Sequence, residues 1–410
     1  MVFLNEFTSI NNLSSFFILK KRLYSKLINI LNNNFSIKDE AIFMENYQIC
    51  KRCVMDNSSD ETITFDDNGY CNYCSSQTKR MPYVYFPNQT DKKMLDQMIC
   101  TLKKQGINNK YDCLMGISGG LDSSYLAYLG SKWGLRILAV HIDDGFDTDI
   151  SKSNIERLRK ETGFDFVIEK PDTEQFNDLT AAYIRANVPN IAIPQDNILF
   201  ACLYKYARKY KIKYFLSGGN FALESILQRG NTYTAYDVVN IKAIHKQFGK
   251  KPINKLNLLS NYRKAFDLII LKIQSLRPLN YINYNRDKAL KELNDFCGFE
   301  YYGSKHLEND LTKFIQLYWF HEKFGVDKRR SHLSSMIISN QISRDEAIEE
   351  LKKPLYDKRE MENVITNVLL KLNISNDEFR HIIAQPTKQH TDYKIDKITN
   401  IFNKIRLRWK

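Results

Sequence analysis

The run Ser118-Gly119-Gly120-Leu121-Asp122-Ser123-Ser124 carries the most specific chemistry in this chain of 410 residues. It follows an apolar, strand-like stretch at residues 111–117 and opens the helical spacing of residues 123–133. Two adjacent glycines let the backbone approach an anion with no Cβ in the way. Successive N–H groups and a helix N-terminus supply partial positive charge for a phosphate. The hydroxyls of Ser118, Ser123 and Ser124 add donors. Asp122 would repel a bare phosphate, so its presence points to a Mg2+ ion bridging carboxylate and phosphate oxygens. The run has no lysine and is not the G-x-x-x-x-G-K-[ST] loop. A plain glycine turn between strand and helix is the alternative.

Four of the eight cysteines form two C-x-x-C pairs, Cys50/Cys53 and Cys71/Cys74; Cys100, Cys113, Cys202 and Cys297 are scattered. A disulfide framework would not leave half its cysteines spread through a large chain, so the pairs read as metal ligands. Their spacing fits a zinc ribbon. Four thiolates at ~2.3 Å close a tetrahedron and leave no position for catalysis, so the zinc would be structural. An iron–sulfur cluster also accepts four thiolates and is the alternative.

Two further loops fall at strand ends. His141-Ile142-Asp143-Asp144-Gly145 ends the second strand pattern, where such folds shape a nucleotide pocket, which makes His141 and Asp143 candidate contacts. Ser217-Gly218-Gly219-Asn220 ends the fourth, with Glu224 one helical turn later; glycines there permit close approach to a ligand or simply make a turn. Lys242, His245, Lys246, Arg329 and Arg330 are candidates for gripping phosphates, or solvated surface residues.

The elements that must position these groups follow from periodicity. Residues 1–43 read as an appendage before a natural start at Met44. Residues 44–88 are the cysteine module, with a strand at 62–65, a tight turn at 66–70 and a Pro-bearing linker at 81–88. Residues 89–245 alternate helices with apolar strands at 111–117, 136–142, 164–168 and 213–216. That alternation predicts an α/β doubly wound parallel sheet with its ligand site beyond the strand C-termini. Residues 246–410 read as helical, with capping-box signals at Ser343/Glu346 and Ser375/Glu378. Ile395, Ile398, Phe402, Ile405 and Trp409 recur at helical spacing and predict a terminal amphipathic helix packed on its own domain or a partner. Lys and Arg number 60 against 47 Asp and Glu, a net charge of +13 that attracts polyanions without choosing among them. No apolar run approaches the ~20 residues of a membrane span and no signal peptide is evident, so a cytoplasmic protein is expected.

The loop resembles the PP-loop of the ATP pyrophosphatase superfamily, S-G-G-x-D-S, whose members cleave ATP between the α and β phosphates. A four-cysteine ribbon directly before it narrows the resemblance to tRNA thiolases and N-acetyl sugar amidotransferases. The second group is the nearer, over roughly residues 46–390. Cys50-Lys51-Arg52-Cys53-Val54-Met55-Asp56, residues 141–146, residues 241–249 and the block Lys323-Phe324-Gly325-Val326-Asp327-Lys328-Arg329-Arg330-Ser331-His332-Leu333-Ser334 are all similar to that family. The resemblance implies that ATP activates the acetamido oxygen of an N-acetyl sugar, nucleotide-linked or a nonulosonate, as an O-adenylyl imidate. Ammonia then displaces AMP to give an acetamidine for surface-polysaccharide synthesis. It assigns Asp122, Ser118 and Ser123 to catalysis. Binding of ATP and Mg2+ falls to Ser118–Ser124, His141, Asp143, Ser217, Gly218, Gly219 and Arg329. No cysteine sits in a glutaminase motif. The resemblance therefore implies a separate triad-type glutaminase supplying ammonia, with a cyclase-like barrel subunit. tRNA thiolation is the rival; the rest of the chain lacks the second cysteine pair that such thiolases carry beyond the PP-loop. A small-molecule ammonia ligase of the asparagine or NAD synthetase type is the third reading, and the ribbon argues against it.

Overall fold

Five short strands form one parallel sheet in the order β3-β2-β1-β4-β5. They are β1 (Cys113–Gly116), β2 (Ile137–Ile142), β3 (Asp165–Glu169), β4 (Tyr214–Leu216) and β5 (Gln274–Leu276). This is a computed structural model, and it describes residues 47–58, 60–87, 92–303 and 307–399. The chain divides into two units, Met1–Ile49 and Cys50–Lys410. The appendage at residues 1–43 and most of the terminal amphipathic segment lie outside the described residues.

The alternation of a strand puts successive side chains on opposite faces. Cys113, Met115, Ile117, Ile137 and Ala139 enter a layer built by the helices Leu121–Lys132, Asp149–Thr162 and Arg286–Cys297. Leu114, Leu138 and Val140 face the other way, onto the helix Ile193–Lys209. The central strands are therefore buried on both faces, which is why they read as continuous apolar runs. In register, Leu114 pairs with Leu138 on one side and with Phe215 on the other.

The sheet runs past residue 245. β5 adds to the far side of β4, with Phe215 opposite Ser275. Its sequence, Gln-Ser-Leu, has no apolar run because it is an edge strand exposed along most of its length, and so it carries no strand signal. The C-terminal helices also share a core with what precedes them. Phe176, Leu179 and Tyr183 pack in one cluster with Phe314, Trp319, Val368 and Phe379. The stretch Phe314–Lys323 is π-helical, and the Trp319 indole Nε1 donates to Val188 O at 3.1 Å.

Local signals hold with three adjustments. At Ser343 both halves of the capping box form. At Ser375 the hydroxyl half forms, while Glu378 pairs with Arg185 at 2.6 Å. The first half of the expected linker is helix instead: Asn72–Val84 continues through Pro82. In the cysteine module the expected strand reduces to a single bridge between Phe65 and Cys71.

Candidate active site

The strand order places a topological switch at β1. The chain leaves β1 for β2 and β3 on one side and returns to β4 and β5 on the other. Loops leaving β1 and β4 diverge around a crevice at such a point, the usual ligand site of open α/β sheets. Here it is a cleft of about 190 Å³ lined by Ser118, Gly120, Asp122, Ser123, Gly218 and Gly219 from those two loops.

Residues 118–120 form a tight turn that feeds the helix Leu121–Lys132. Gly119 has φ +75°, and a Cβ there would lie 2.7 Å from Ser151 O, so both backbone angle and space call for glycine. Ser118 Oγ and Ser123 Oγ lie 3.2 Å apart, and Ser118 Oγ accepts from Gly120 N–H at 3.2 Å. Leu121 N–H donates to the Tyr302 hydroxyl at 2.9 Å. The amides of Ser118, Gly120 and Leu121 thus already have partners inside the protein. Asp122 Oδ1 accepts from the Tyr284 hydroxyl. Burial, then the nearby Asp122 carboxylate, pushes the Tyr284 phenol well above its ordinary value, so it stays a donor.

The β4 loop touches the β1 loop directly. A Cβ on Gly218 would lie 2.9 Å from Asp122 C and 3.0 Å from Ser123 N, backbone atoms that cannot give way. Gly218→Ala should therefore push the two loops apart. It is expected to cost about 1–3 kcal/mol in stability and to weaken nucleotide binding, read by thermal melts and by titration with ATP. An alanine variant that binds and melts like the parent would refute this close approach.

The third wall comes from residues far along the chain: Arg286, Tyr301, Tyr302 and Glu308, with Leu223 and Glu224 after β4. The residues from 286 to 308 carry no local motif, and sequence reasoning missed all four. The described residues lining the cleft include three carboxylates (Asp122, Glu224 and Glu308) against one base, Arg286. Two like unit charges ~4 Å apart repel by about 4 kcal/mol at an effective dielectric of ~20. The charge of these described residues favours cations entering with a polyphosphate, and the donor set fits Mg2+, which takes oxygen ligands from one or two carboxylates and substrate phosphates. Asp122 at the helix start is placed to contribute.

Several sequence candidates have other surroundings. Ser124 is fully buried one turn into the helix and does not line the cleft. His141 is buried with Nδ1 2.8 Å from Ile117 O and Nε2 3.0 Å from Asp147. Burial disfavours charge on its ring and Asp147 favours it, and the balance sits above the ordinary histidine value. Both nitrogens are thus spent clamping the ends of β1 and β2. Asp143 accepts from Gly145 N–H at 3.1 Å and lies 3.8 Å from Lys170. Ser217 Oγ accepts from Gly219 N–H at 3.2 Å, shaping the turn.

Arg329 is outside the cleft. Its guanidinium forks onto Asp327 at 2.7 and 3.1 Å and donates to Lys353 O at 2.9 Å, so it fastens the start of one helix to the end of the next. Arg330 pairs with Asp56 at 3.0 Å and donates to Val54 O at 2.9 Å, holding the cysteine module. His245 meets Asp178 at 3.2 Å, which also takes the amides of Lys250 and Lys251. In each case a protein carboxylate already faces the positive charge that a phosphate would have met.

The four cysteines meet. Cys50, Cys53, Cys71 and Cys74 are fully buried, and their sulfurs lie within 4.8 Å of one another. Cys50 Sγ is 3.6 Å from Cys74 Sγ, and Cys53 Sγ is 3.6 Å from Cys71 Sγ. The amides of Cys53 and Cys71 point at Cys50 Sγ at 3.4 and 3.2 Å. These two amide bonds favour a thiolate on Cys50, whose thiol is held below its ordinary value, first by its bond with Cys53, while the bond with Cys50 pushes the Cys53 and Cys71 thiols up. Arg344 caps the knuckle, donating to Cys50 O at 3.0 Å and Cys53 O at 3.1 Å.

Sheet and loop define the class: an α/β protein with a parallel sheet and a phosphate-type loop at its switch point, a four-cysteine cluster at its N-terminal side and a mostly helical C-terminal region. Residues 308–406 match the family described as LPS biosynthesis protein WbpG-like, C-terminal domain, so the match opens on Glu308 of the cleft. Over 308 residues the chain is 22% identical to an uncharacterized protein of Methanocaldococcus jannaschii, MJ1599, covering 74% of this chain and 93% of that one. Among solved structures it is similar to the NH3-dependent NAD synthetase of Campylobacter jejuni (14% identity, 64% of this chain and 97% of that chain, TM-score 0.32). It is also similar to the U34-tRNA thiolase NcsA of Methanococcus maripaludis with its 4Fe–4S cluster (13% identity, 75% and 89%, TM-score 0.30). TM-scores this low bear on neither function nor mechanism.

Proposed function

We propose that the chain is an ATP-dependent, AMP-forming ligase that converts the acetamido group of an N-acetyl sugar to an acetamidino group for surface-polysaccharide synthesis. The observation that carries the reading is a phosphate-type loop at the switch point of the sheet, in one cleft with Glu308 of the WbpG-like segment. In this reading the acetamido oxygen attacks the α-phosphorus and pyrophosphate leaves. Ammonia adds to the activated carbon, the C–O bond breaks, and AMP departs with the acetamido oxygen; a proton is lost to solvent. An amide is a poor electrophile with a poor leaving group, so adenylation is the chemical requirement. Ser118 and Ser123 would turn their hydroxyls from Glu308 and Gly120 O to phosphate oxygens, and Asp122 would hold Mg2+, which would supply positive charge beside the departing pyrophosphate. The decisive experiment places a heavy oxygen isotope in the acetamido group of candidate sugars, with ATP, Mg2+ and ammonium. Label recovered in AMP supports the reading, and label retained in the sugar product refutes it. The reading puts the enzyme in the cytoplasm, with ATP.

The cysteine cluster fits a single ion. A tetrahedron of sulfurs at ~2.3 Å from its centre has edges of about 3.8 Å, close to the 3.6 Å separations here. An iron–sulfur cubane sets irons and sulfides between its thiolates and spreads them farther. We assign structural zinc. Transfer of sulfur to tRNA is disfavoured because, among the described residues, no cysteine lines the cleft.

Ammonia is expected from a separate glutaminase subunit, with a barrel subunit to conduct it. Cys113 and Cys202 are buried, and burial raises the thiol of each, so neither is a nucleophile. The isolated chain should use ammonium salts but not glutamine. Amide nitrogen from labelled glutamine entering the product with this chain alone would refute that.

A further inference from the structure

Among the described residues, one carboxylate oxygen of Glu308 has no partner. The residue is 8% exposed and lines the cleft. Its main chain is pinned, because its carbonyl accepts from Thr148 N–H at 3.1 Å and Thr148 Oγ1 at 3.2 Å. Its Oε1 accepts from Ser118 Oγ at 3.1 Å. The same atom would lie 2.4 Å from a Cβ on Gly120, so it occupies space that only a glycine leaves open. Its Oε2 is buried and has no hydrogen-bond partner among the described residues.

Buried carboxylate oxygens are normally satisfied, and one left over in a polar cleft calls for a donor or a cation. The location says which. This carboxylate sits on the loop whose glycines make room for phosphate, and two anions share such a space only with a cation between them. Mg2+ is typically bound through one or two carboxylates plus substrate phosphates rather than by an all-protein cage. The cleft matches that pattern: among the described residues, the cysteine quartet is the one group of three or more whose ligand atoms come within 4.8 Å of each other. The cleft carboxylates therefore leave positions for phosphate oxygens.

We propose that Glu308 is a ligand of the divalent cation at the loop, with Oε2 facing an ion that phosphate oxygens help to bind. The proposal rests on the reading of residues 118–124 as a phosphate cradle. It gives the C-terminal segment a direct part in nucleotide binding, since the ion would be held from both the helix start at Asp122 and the opposite wall. The contrary role, an internal anion that merely fills an empty cradle, predicts the opposite sign.

The test is calorimetric titration of the full-length protein with inorganic pyrophosphate, once with Mg2+ and once with EDTA. Glu308→Gln keeps the shape and the bond to Ser118 and removes the charge; zinc content and melting temperature report on its fold. With Mg2+ the variant should bind pyrophosphate at least ~10-fold more weakly than the parent. With EDTA it should bind equally well or more tightly. Glu308→Asp should recover part of the magnesium dependence, and guards against a glutamine variant that fails to fold. Magnesium pyrophosphate binding that is unchanged or tighter in Glu308→Gln overturns the proposal. A parent protein that binds no pyrophosphate under either condition overturns the cradle reading itself, and is recognised without any variant.

Discussion

Asp122→Asn is expected to lower ATP-dependent AMP release by roughly 10³-fold, about 4 kcal/mol of transition-state stabilisation, the upper end of what one preorganised electrostatic group supplies. The substitution keeps the side-chain shape and leaves an oxygen for the Tyr284 hydroxyl, which bonds Asp122 Oδ1 in the folded protein. What it removes is the negative charge facing a cleft that must admit a polyphosphate with its cation. The fold should survive, and melting temperature is the control. Tyr284→Phe breaks the same hydrogen bond from the other side while leaving the carboxylate, so it should lose far less activity. Near-parental turnover in Asp122→Asn, or equal losses in the two variants, would show that Asp122 only shapes the helix start.

Cys74→Ser should have the second large effect, on stability rather than on chemistry. Elemental analysis should find about one zinc per parent chain and far less in the variant. A closed site of four thiolates contributes its metal-binding energy to folding, and loss of a structural metal stands among the few mechanisms that cost about 4 kcal/mol or more. The module has little core of its own: its buried cluster is essentially the four cysteines with Met55, Ile63, Tyr73 and Ile226. It is also tied to the C-terminal region through Arg330, Arg344 and Ser334, whose Oγ accepts from Val54 N–H at 3.1 Å. Unfolding the module should thus loosen the helix Arg329–Ile338 as well. AMP formation at low temperature should persist, because the cluster leaves no open coordination position. Full zinc content in Cys74→Ser, or iron in the parent, would refute the assignment.

The phosphate-type loop and the cysteine quartet were legible in the sequence because each is a local device. A strand, two glycines, an aspartate and a helix start lie within a few residues, and the backbone geometry they need is set by their own types. Two C-x-x-C knuckles likewise announce four sulfurs wherever the chain goes. The central strands were legible because burial on both faces makes them apolar throughout. β5 was not, because an edge strand is paired through its backbone and its exposed Gln274 and Ser275 leave no hydrophobic trace.

Only the tertiary structure decided which polar groups share the cleft. Glu308 meets Ser118 across 190 residues and Tyr302 meets Leu121 across 181, with no motif at either distant end. Arg329 and His141 looked equal to any phosphate ligand by type and position. Packing gave them Asp327 and Asp147 as partners instead. A charged side chain takes its role from the group placed opposite it. Sequence spacing dictates that group within a turn or a knuckle; across the fold it is the stacking of helices on both faces of the sheet that dictates it.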